Sequence, residues 1–359
     1  MEIYADGVLS GLKQQGVNIK EFIPTSRLEY WHKNAVVMRY LRYFHYPQLV
    51  KNNKVDNTAT NDLLIHHVSD HGYAHLYPYL GQGKKCLSVH DIIPYLTYIG
   101  EIKADQEGET FDFKKPRLNL YSLKFIKLYD QIITISQSTA DDLSKYLGID
   151  SNKIAIVPPV IDEKFHQVEQ QRANQFSEKY NLDRSFKWLM VSGREYYKNH
   201  RTSLNVLKAL LNKTDIKIKL IKTGRPCSEF NSLVRELDLL DHVEQLYFED
   251  VSELPLLYNV VDCLLFPSLY EGFGMPVAEA LACGTPVVMS NQASLPEVGN
   301  EFAIQHDCFD IDGMVQSVVK VLNDQEFISR QKESALKWSE KFHAPSIGKA
   351  LCNVYDNIP

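Results

Sequence analysis

The sequence predicts an α/β protein of two Rossmann-like, doubly wound domains facing a cleft, on three observations. Its 359 residues exceed one ordinary core and suit two. Short apolar runs alternate with helical patterns through the second half, and more weakly through the first. The stretch Val157-Pro-Pro-Val-Ile161 is a stiff connection between them.

In the second half, runs at Lys187–Val191, Ile216–Lys222, Val243–Phe248, Val261–Phe266 and Pro286–Met289 read as strands. Helical patterns lie between them at about 199–211, up to Leu240, and at 253–259 and 276–283, with another at 313–322. Parallel strands need such crossovers, and ligands of parallel sheets bind beyond the carboxyl ends of the strands. In the first half the candidate strands are Val17–Phe22, Asp62–His66, Lys85–Val89 and Gln131–Ile135. The junction falls at roughly 158–168, and we divide the chain into domains 1–162 and 163–339.

Composition excludes several classes. Hydrophobic residues make up 44% and charged residues 23%, the balance of a folded protein, and the net charge of −6 opposes nucleic-acid binding. No apolar run reaches the roughly 18 residues of a spanning helix. The Met-Glu-Ile-Tyr-Ala-Asp start lacks a signal peptide's pattern. Six scattered cysteines, without a CxxC pair, suit reduced thiols in a cytoplasm. The expected location is cytoplasmic, including the inner face of the membrane.

Residues 267–286 carry the densest chemical signal. Pro276 suits a first helical turn, Gly284 its end, and Pro286 prevents continuation. Gly272 and Gly274 let backbone approach a ligand just ahead of that helix, whose N-terminus favours a pyrophosphate. Glu271 lies in the loop and Glu279 about one turn inside the helix, so one carboxylate can meet a hexose and the other a ribose. Two glutamates that cap or face water are the plain alternative, but it gives no reason for the surrounding glycines and prolines.

The stretch resembles the Glu-x7-Glu motif of retaining glycosyltransferases of the GT-B architecture, glycosyltransferase family 4 in particular. Leu254–Tyr258, Asp262–Ser268, Glu271–Pro276, Ala280–Val288 and Ser294–Val298 extend the likeness. It implies that Glu271 contacts the donor sugar, that Glu279 holds the ribose, and that Gly272, Phe273, Gly274, Met275 and Pro276 line the pocket. It also implies that a helix at about 340–359 packs back on the N-terminal domain.

A second cluster, Ser192-Gly-Arg-Glu-Tyr-Tyr-Lys-Asn199, follows a strand and precedes a helix, where Arg194 and Lys198 can converge on phosphate oxygens. In the family the matching pair neutralises the leaving diphosphate in place of a metal. Asp310-Ile-Asp312 has the spacing of a metal pair but lies far beyond the motif, so no metal and no cofactor are expected. Gly224 and Val251 are the expected nucleotide contacts, through backbone, with a UDP- or GDP-hexose as donor.

On the acceptor side, His90-Asp91 ends a predicted strand, and the likeness to the family's Val-His-Asp segment assigns His90 to the reaction centre. Ser136 either faces the same cleft or caps the helix that follows. The aromatic and basic segment Tyr30–Val50 either packs on its own domain or lies on an anionic membrane beside a lipid-linked acceptor. Glu2–Gly7 resembles a family helix that normally follows a first strand and glycine-rich loop. That strand is therefore expected to be absent, or the start internal.

The resemblance implies a retaining, metal-independent hexosyltransferase of polysaccharide biosynthesis acting on a glycan or lipid-linked acceptor. The alternative is a catalytically impaired relative that binds nucleotide sugar or serves as a partner subunit.

Overall fold

The computed structural model describes residues 2–23, 38, 40–52, 64–103, 119–248 and 251–359. The chain forms two compact units. One takes Met1–Ile99, Asp112–Val160 and Ala344–Pro359, the other Gly100–Phe111 and Ile161–His343.

The first unit holds a parallel sheet of β1 (Ile65–Val68), β2 (Lys84–Val89), β3 (Gln131–Thr134) and β4 (Ile154–Ile156), paired in that order. Its central strands are apolar and buried, with Leu87, Val89, Ile132 and Ile133 inaccessible to solvent, as a sheet covered on both faces requires. β1 begins at Ile65, which pairs with Lys84, and Asp62 and Leu63 of the expected strand lie outside the described residues.

The expected strand at Val17–Phe22 does not form. That stretch is irregular, and no strand pairs with it among the described residues. Without a neighbour to accept its backbone hydrogen bonds, such a stretch is not a strand. Phe22 and Ile23 are left 40% and 65% exposed.

The helices Glu2–Gln14 and Ala344–Asp356 pack against each other across 330 residues of sequence. They meet at glycines. A Cβ on Gly348 would lie 2.1 Å from the Gly11 carbonyl oxygen, and one on Gly11 would lie 2.8 Å from the Ala344 oxygen. A buried polar chain ties both helices to the sheet. The Tyr4 and Ser88 hydroxyls are 2.8 Å apart, His67 Nε2 is 2.7 Å from Ser88 Oγ, and His67 Nδ1 is 2.6 Å from the Tyr355 hydroxyl. Burial lowers the His67 pKa to about 4, so the ring is neutral there.

The second unit holds six parallel strands. These are β5 (Lys187–Ser192), β6 (Ile218–Thr223), β7 (Val243–Leu246), β8 (Cys263–Phe266), β9 (Val287–Ser290) and β10 (Ile304–His306). Their order is β10-β9-β8-β5-β6-β7. The chain therefore builds outward from β5 through β6 to β7, returns to place β8 on the other side of β5, and continues to β10. β10 was not legible in the sequence, being three residues long and half-buried. The point of reversal lies between β5 and β8, where Leu189 pairs with Cys263 and Met190 with Leu264. In open parallel sheets such a reversal leaves a crevice at the carboxyl ends of the two strands. One core, including Leu189, Leu207, Leu220, Phe230, Leu265 and Val318, lies under the helices His200–Lys213, Ser228–Glu236 and Ile311–Asn323.

The glycine crossing in the first unit leaves no room for a side chain. Gly348→Val should lower unfolding stability by about 1–3 kcal/mol, the usual cost of overpacking. Urea titration measures this, and an unchanged midpoint would contradict so close an approach.

Candidate functional site

The loops that leave β5 and β8 meet at the reversal, and both expected clusters are on them. After β5, Gly193 has φ +89 and Asn199 has φ +53. The first conformation suits glycine and the second is tolerated by asparagine. Asn199 then begins the His200–Lys213 helix, and its buried side chain joins the loops. Nδ2 donates to the Pro267 oxygen at 3.0 Å and the Cys308 oxygen at 2.8 Å. The Leu269 N–H donates to the Tyr197 oxygen at 2.7 Å, completing the seam.

Across that seam Lys198 Nζ donates to Glu271 Oε1 at 2.7 Å. Both side chains are nearly buried, 10% and 9% exposed, and the Nζ lies 4.9 Å from the centre of the Phe266 ring. Gly193 makes room for this lysine, since a Cβ there would sit 2.7 Å from Lys198 Cε. Arg194 is different: its side chain is 57% exposed, with Nε 4.0 Å from Glu195 Oε1.

Gly272, Phe273 and Gly274 follow Glu271 in a buried loop. Ser294 Oγ lies 2.9 Å from the Glu271 oxygen and 2.8 Å from the Phe273 oxygen and donates toward both, fixing the loop from beneath. Gly274 has φ +101, and a Cβ there would meet Leu295 Cδ2 at 2.6 Å. It is the N-cap of the helix Met275–Cys283, with Pro276 in its first turn and Gly284 as its left-handed C-cap. Met275 and Pro276 are half-buried at that N-terminus. Glu279 projects from the same helix and accepts from the Tyr258 hydroxyl at 2.9 Å. Burial raises its pKa to about 7, the Tyr258 hydrogen bond and the Lys164 and Lys198 charges acting the other way.

Beside the β5 loop, Gly224 ends β6 with φ +91. A Cβ on it would lie 3.6 Å from Gly193 Cα, so the two turns run side by side. His200 Nε2 donates to the Gly193 oxygen at 3.1 Å. Its ring is buried, which pushes the pKa down to about 4. Val251 begins a short 3-10 turn and is 47% exposed; Glu249 and Asp250 lie outside the described residues. Asp310 and Asp312 point to separate partners. Asp310 accepts from the Gly313 N–H at 2.9 Å and faces His306 Nδ1 at 3.1 Å, while Asp312 accepts from Lys213 at 2.7 Å.

The acceptor-side candidates belong to the first unit. His90 follows β2 and donates from Nε2 to the Ser69 oxygen at 2.8 Å, its ring edge-on to Tyr4 with centroids 4.4 Å apart. Burial lowers its pKa. Asp91 Oδ1 accepts from the Ile93 N–H at 2.9 Å, and Ser136 Oγ from the Thr139 N–H at 3.1 Å, so Ser136 does cap its helix. Asn199, Ser294, Tyr258 and His200 were not singled out in the sequence. Asn199 carried a signal as an asparagine between a loop and a helix, and Tyr258 and Ser294 bound stretches that extend the family likeness, whereas His200 carried none.

The match of known families follows this geometry. Residues 172–338 match the model of Glycosyl transferases group 1, and residues 1–165 that of Glycosyltransferase Family 4. The chain belongs to the family 4 type of glycosyltransferases. Its two parallel-sheet α/β units are those of the GT-B architecture. HepE of Anabaena, solved in complex with UDP and glucose, superposes with a TM-score of 0.70 at 13% identity, over 96% of this chain and 88% of that one. Among sequence relatives, the serotype-specific mannosyltransferase WbdA of Escherichia coli is 30% identical over 268 residues. Those residues are 70% of this chain but 31% of WbdA, so the chain spans under a third of that relative. The O-antigen chain mannosyltransferase B of Escherichia coli is 25% identical over 62% of this chain and 60% of its own length.

His200 is expected to make the fold acid-sensitive. Its folded pKa is depressed to about 4 from the ordinary 6.5, so the unfolded chain binds the proton first as pH falls. Stability from this group is fully present above about 6.5 and is lost as pH falls toward 4. His200→Gln, which keeps a donor for the Gly193 oxygen, should flatten the decline in melting temperature between those values. A slope identical to wild type would exclude His200 as its source.

Proposed function

We propose that this chain transfers a hexose-type sugar, a mannosyl group by the names of its relatives, from a nucleotide-sugar donor to a glycan or lipid-linked acceptor hydroxyl. Transfer proceeds with retention at the anomeric carbon and without a metal ion. The reading rests above all on the Lys198–Glu271 pair at the reversal of the sheet. Each partner satisfies the other, so a ligand must replace both halves to displace them. An anion is needed for the lysine and hydroxyl donors for the glutamate. A sugar joined to a diphosphate carries both.

In this reading the diphosphate takes Lys198 and the exposed Arg194, and the N-terminus of the Met275–Cys283 helix adds its partial charge. Glu271 accepts from sugar hydroxyls, with Gly272, Phe273 and Gly274 lining the pocket. Glu279, held by Tyr258, accepts from the ribose, and Gly224 and Val251 flank the base. The bond from the anomeric carbon to the phosphate oxygen breaks and one to the acceptor oxygen forms on the same face. The acceptor proton passes to the departing phosphate. Charge builds on that phosphate in the transition state, where fixed cations lower the barrier most. His90, with Asp91 near it, contacts the acceptor side.

Lys198→Ala and Glu271→Ala should each lower transfer about a hundredfold or more while the fold persists. The assay uses the nucleotide sugar that most raises the melting temperature in a screen of UDP- and GDP-hexoses. Turnover should survive EDTA. Near-wild-type rates in either variant would remove the assignment, and binding without turnover in the unaltered protein would favour a non-catalytic relative.

We also propose contact with an anionic membrane through the segment around residues 30–50. Trp31, Lys33 and Arg39 lie outside the described residues, and no described helix is long and apolar enough to cross a membrane. Tyr40 and Phe44 support the reading, stacked at 6.0 Å and exposed by 53% and 67%. Arg42 does not: it turns inward, donating to the Gly72 oxygen at 3.1 Å and lying 4.5 Å from the Tyr73 ring centre. Co-sedimentation with phosphatidylserine vesicles should weaken as salt rises, and an absence of binding at low salt would end this proposal.

A further inference from the structure

Lys222 is a buried cation in the wrong place for a structural residue. It is the penultimate residue of β6, paired in register with Val191 at the end of β5, and its side chain is 0% exposed. Strand positions of this kind are normally apolar, and buried charges are normally matched by an opposite charge. Lys222 has no carboxylate within ion-pair distance among the described residues. Its Nζ instead donates to two backbone oxygens, Thr223 at 3.2 Å and Arg225 at 3.0 Å, and lies 5.7 Å from the centre of the Phe230 ring. Those oxygens bracket Gly224, the turn that runs beside Gly193. Burial lowers the Lys222 pKa, with Arg194 adding to the effect and Cys227 and Glu195 acting the other way.

The cations around this turn differ in what is already neutralised. Lys198 is paired with Glu271, and Arg194 is exposed to screening by water. Lys222 is fixed and desolvated, with no carboxylate in ion-pair contact among the described residues, and Glu195 attracts it only from beyond contact. Such a charge lowers stability unless something compensates it. We propose that Lys222 is a positioning residue for the donor diphosphate: it holds the Thr223–Arg225 turn against Gly193 and supplies a fixed positive field whose counter-anion is the ligand. The inference rests on the donor-site reading above. Being fully buried, Lys222 acts through the turn and through its field, without touching the ligand.

Three variants separate charge from turn. Lys222→Gln keeps a donor for the turn and removes the charge, Lys222→Met removes both, and Lys222→Arg keeps the charge. Titrations of UDP, GDP, uridine and guanosine, followed by saturation-transfer NMR, read the result. A unit charge several ångströms from a diphosphate in partly desolvated surroundings corresponds to about a tenfold change in affinity. The Gln and Met variants should therefore bind the preferred diphosphate about tenfold more weakly, and the Arg variant should retain most of the affinity. Nucleoside binding should not change in the Gln and Arg variants, which keep a donor for the turn. Removing a buried charge without an ion-pair contact should leave the Met variant at least as stable as wild type, so it remains testable if the Gln variant misfolds. Diphosphate affinity unchanged in both neutral variants would overturn the inference, as would an equal loss for diphosphate and nucleoside in the Gln variant. If Lys198→Ala weakens diphosphate binding while the neutral Lys222 variants do not, the inference fails alone. If the unaltered protein binds neither UDP nor GDP, the donor-site reading fails with it.

Discussion

The seam between the β5 and β8 loops governs the second unit, and the 2.7 Å contact of Lys198 with Glu271 is its chemical centre. Two nearly buried opposite charges hold each other only when their backbones are fixed, because desolvation otherwise exceeds the attraction. The fixing is visible in separate bonds. Asn199 reaches the Pro267 and Cys308 oxygens, Leu269 reaches the Tyr197 oxygen, and Ser294 reaches toward the loop after Glu271 from below. Positive φ angles at Gly193, Asn199 and Gly274 give the loops shapes that few other residues adopt without strain. The pair is thus preorganised, and under the proposed reading a donor would meet it without first ordering the loops.

Sheet order explains why the seam lies where it does. β5 is the first strand of its sheet in the chain, yet it lies between β8 and β6. Loops on either side of such a reversal leave the sheet toward opposite faces and open a crevice. Residues 73 positions apart in sequence meet there. The neighbouring turn at Gly224 is carried by β6, so strand pairing also delivers the Lys222 field to the same edge. The first unit uses polar groups differently. Tyr4, Ser88, His67 and Tyr355 spend their hydrogen bonds on joining the two terminal helices to the sheet.

Much of the second unit was legible because its elements are regular. β5, β6, β8 and β9 are buried apolar runs bounded by turn residues, and Pro276 and Gly284 mark both ends of a helix. The first unit was less so. Val17–Phe22 reads as a candidate strand, but local residue type does not supply a partner, and pairing decides the outcome. Ser136 shows a similar limit, since a serine at a strand end can face a ligand or cap a helix, and only the structure shows that it accepts from Thr139 N–H as a cap. Three-residue β10 and the Asn199 staple left little trace, because each depends on partners far along the chain.

The sequence by itself determined the local chemistry: a glycine-flanked carboxylate ahead of a proline-started helix, and two cations between a strand and another helix. Local backbone preference and residue type settle such features. Only the tertiary structure decided that Lys198 and Glu271 neutralise each other, that Arg194 stays in water, and that Lys222 is buried with no carboxylate in ion-pair contact among the described residues. Pairing, exposure and desolvation belong to positions in space, and these follow from the order of strands in the sheet.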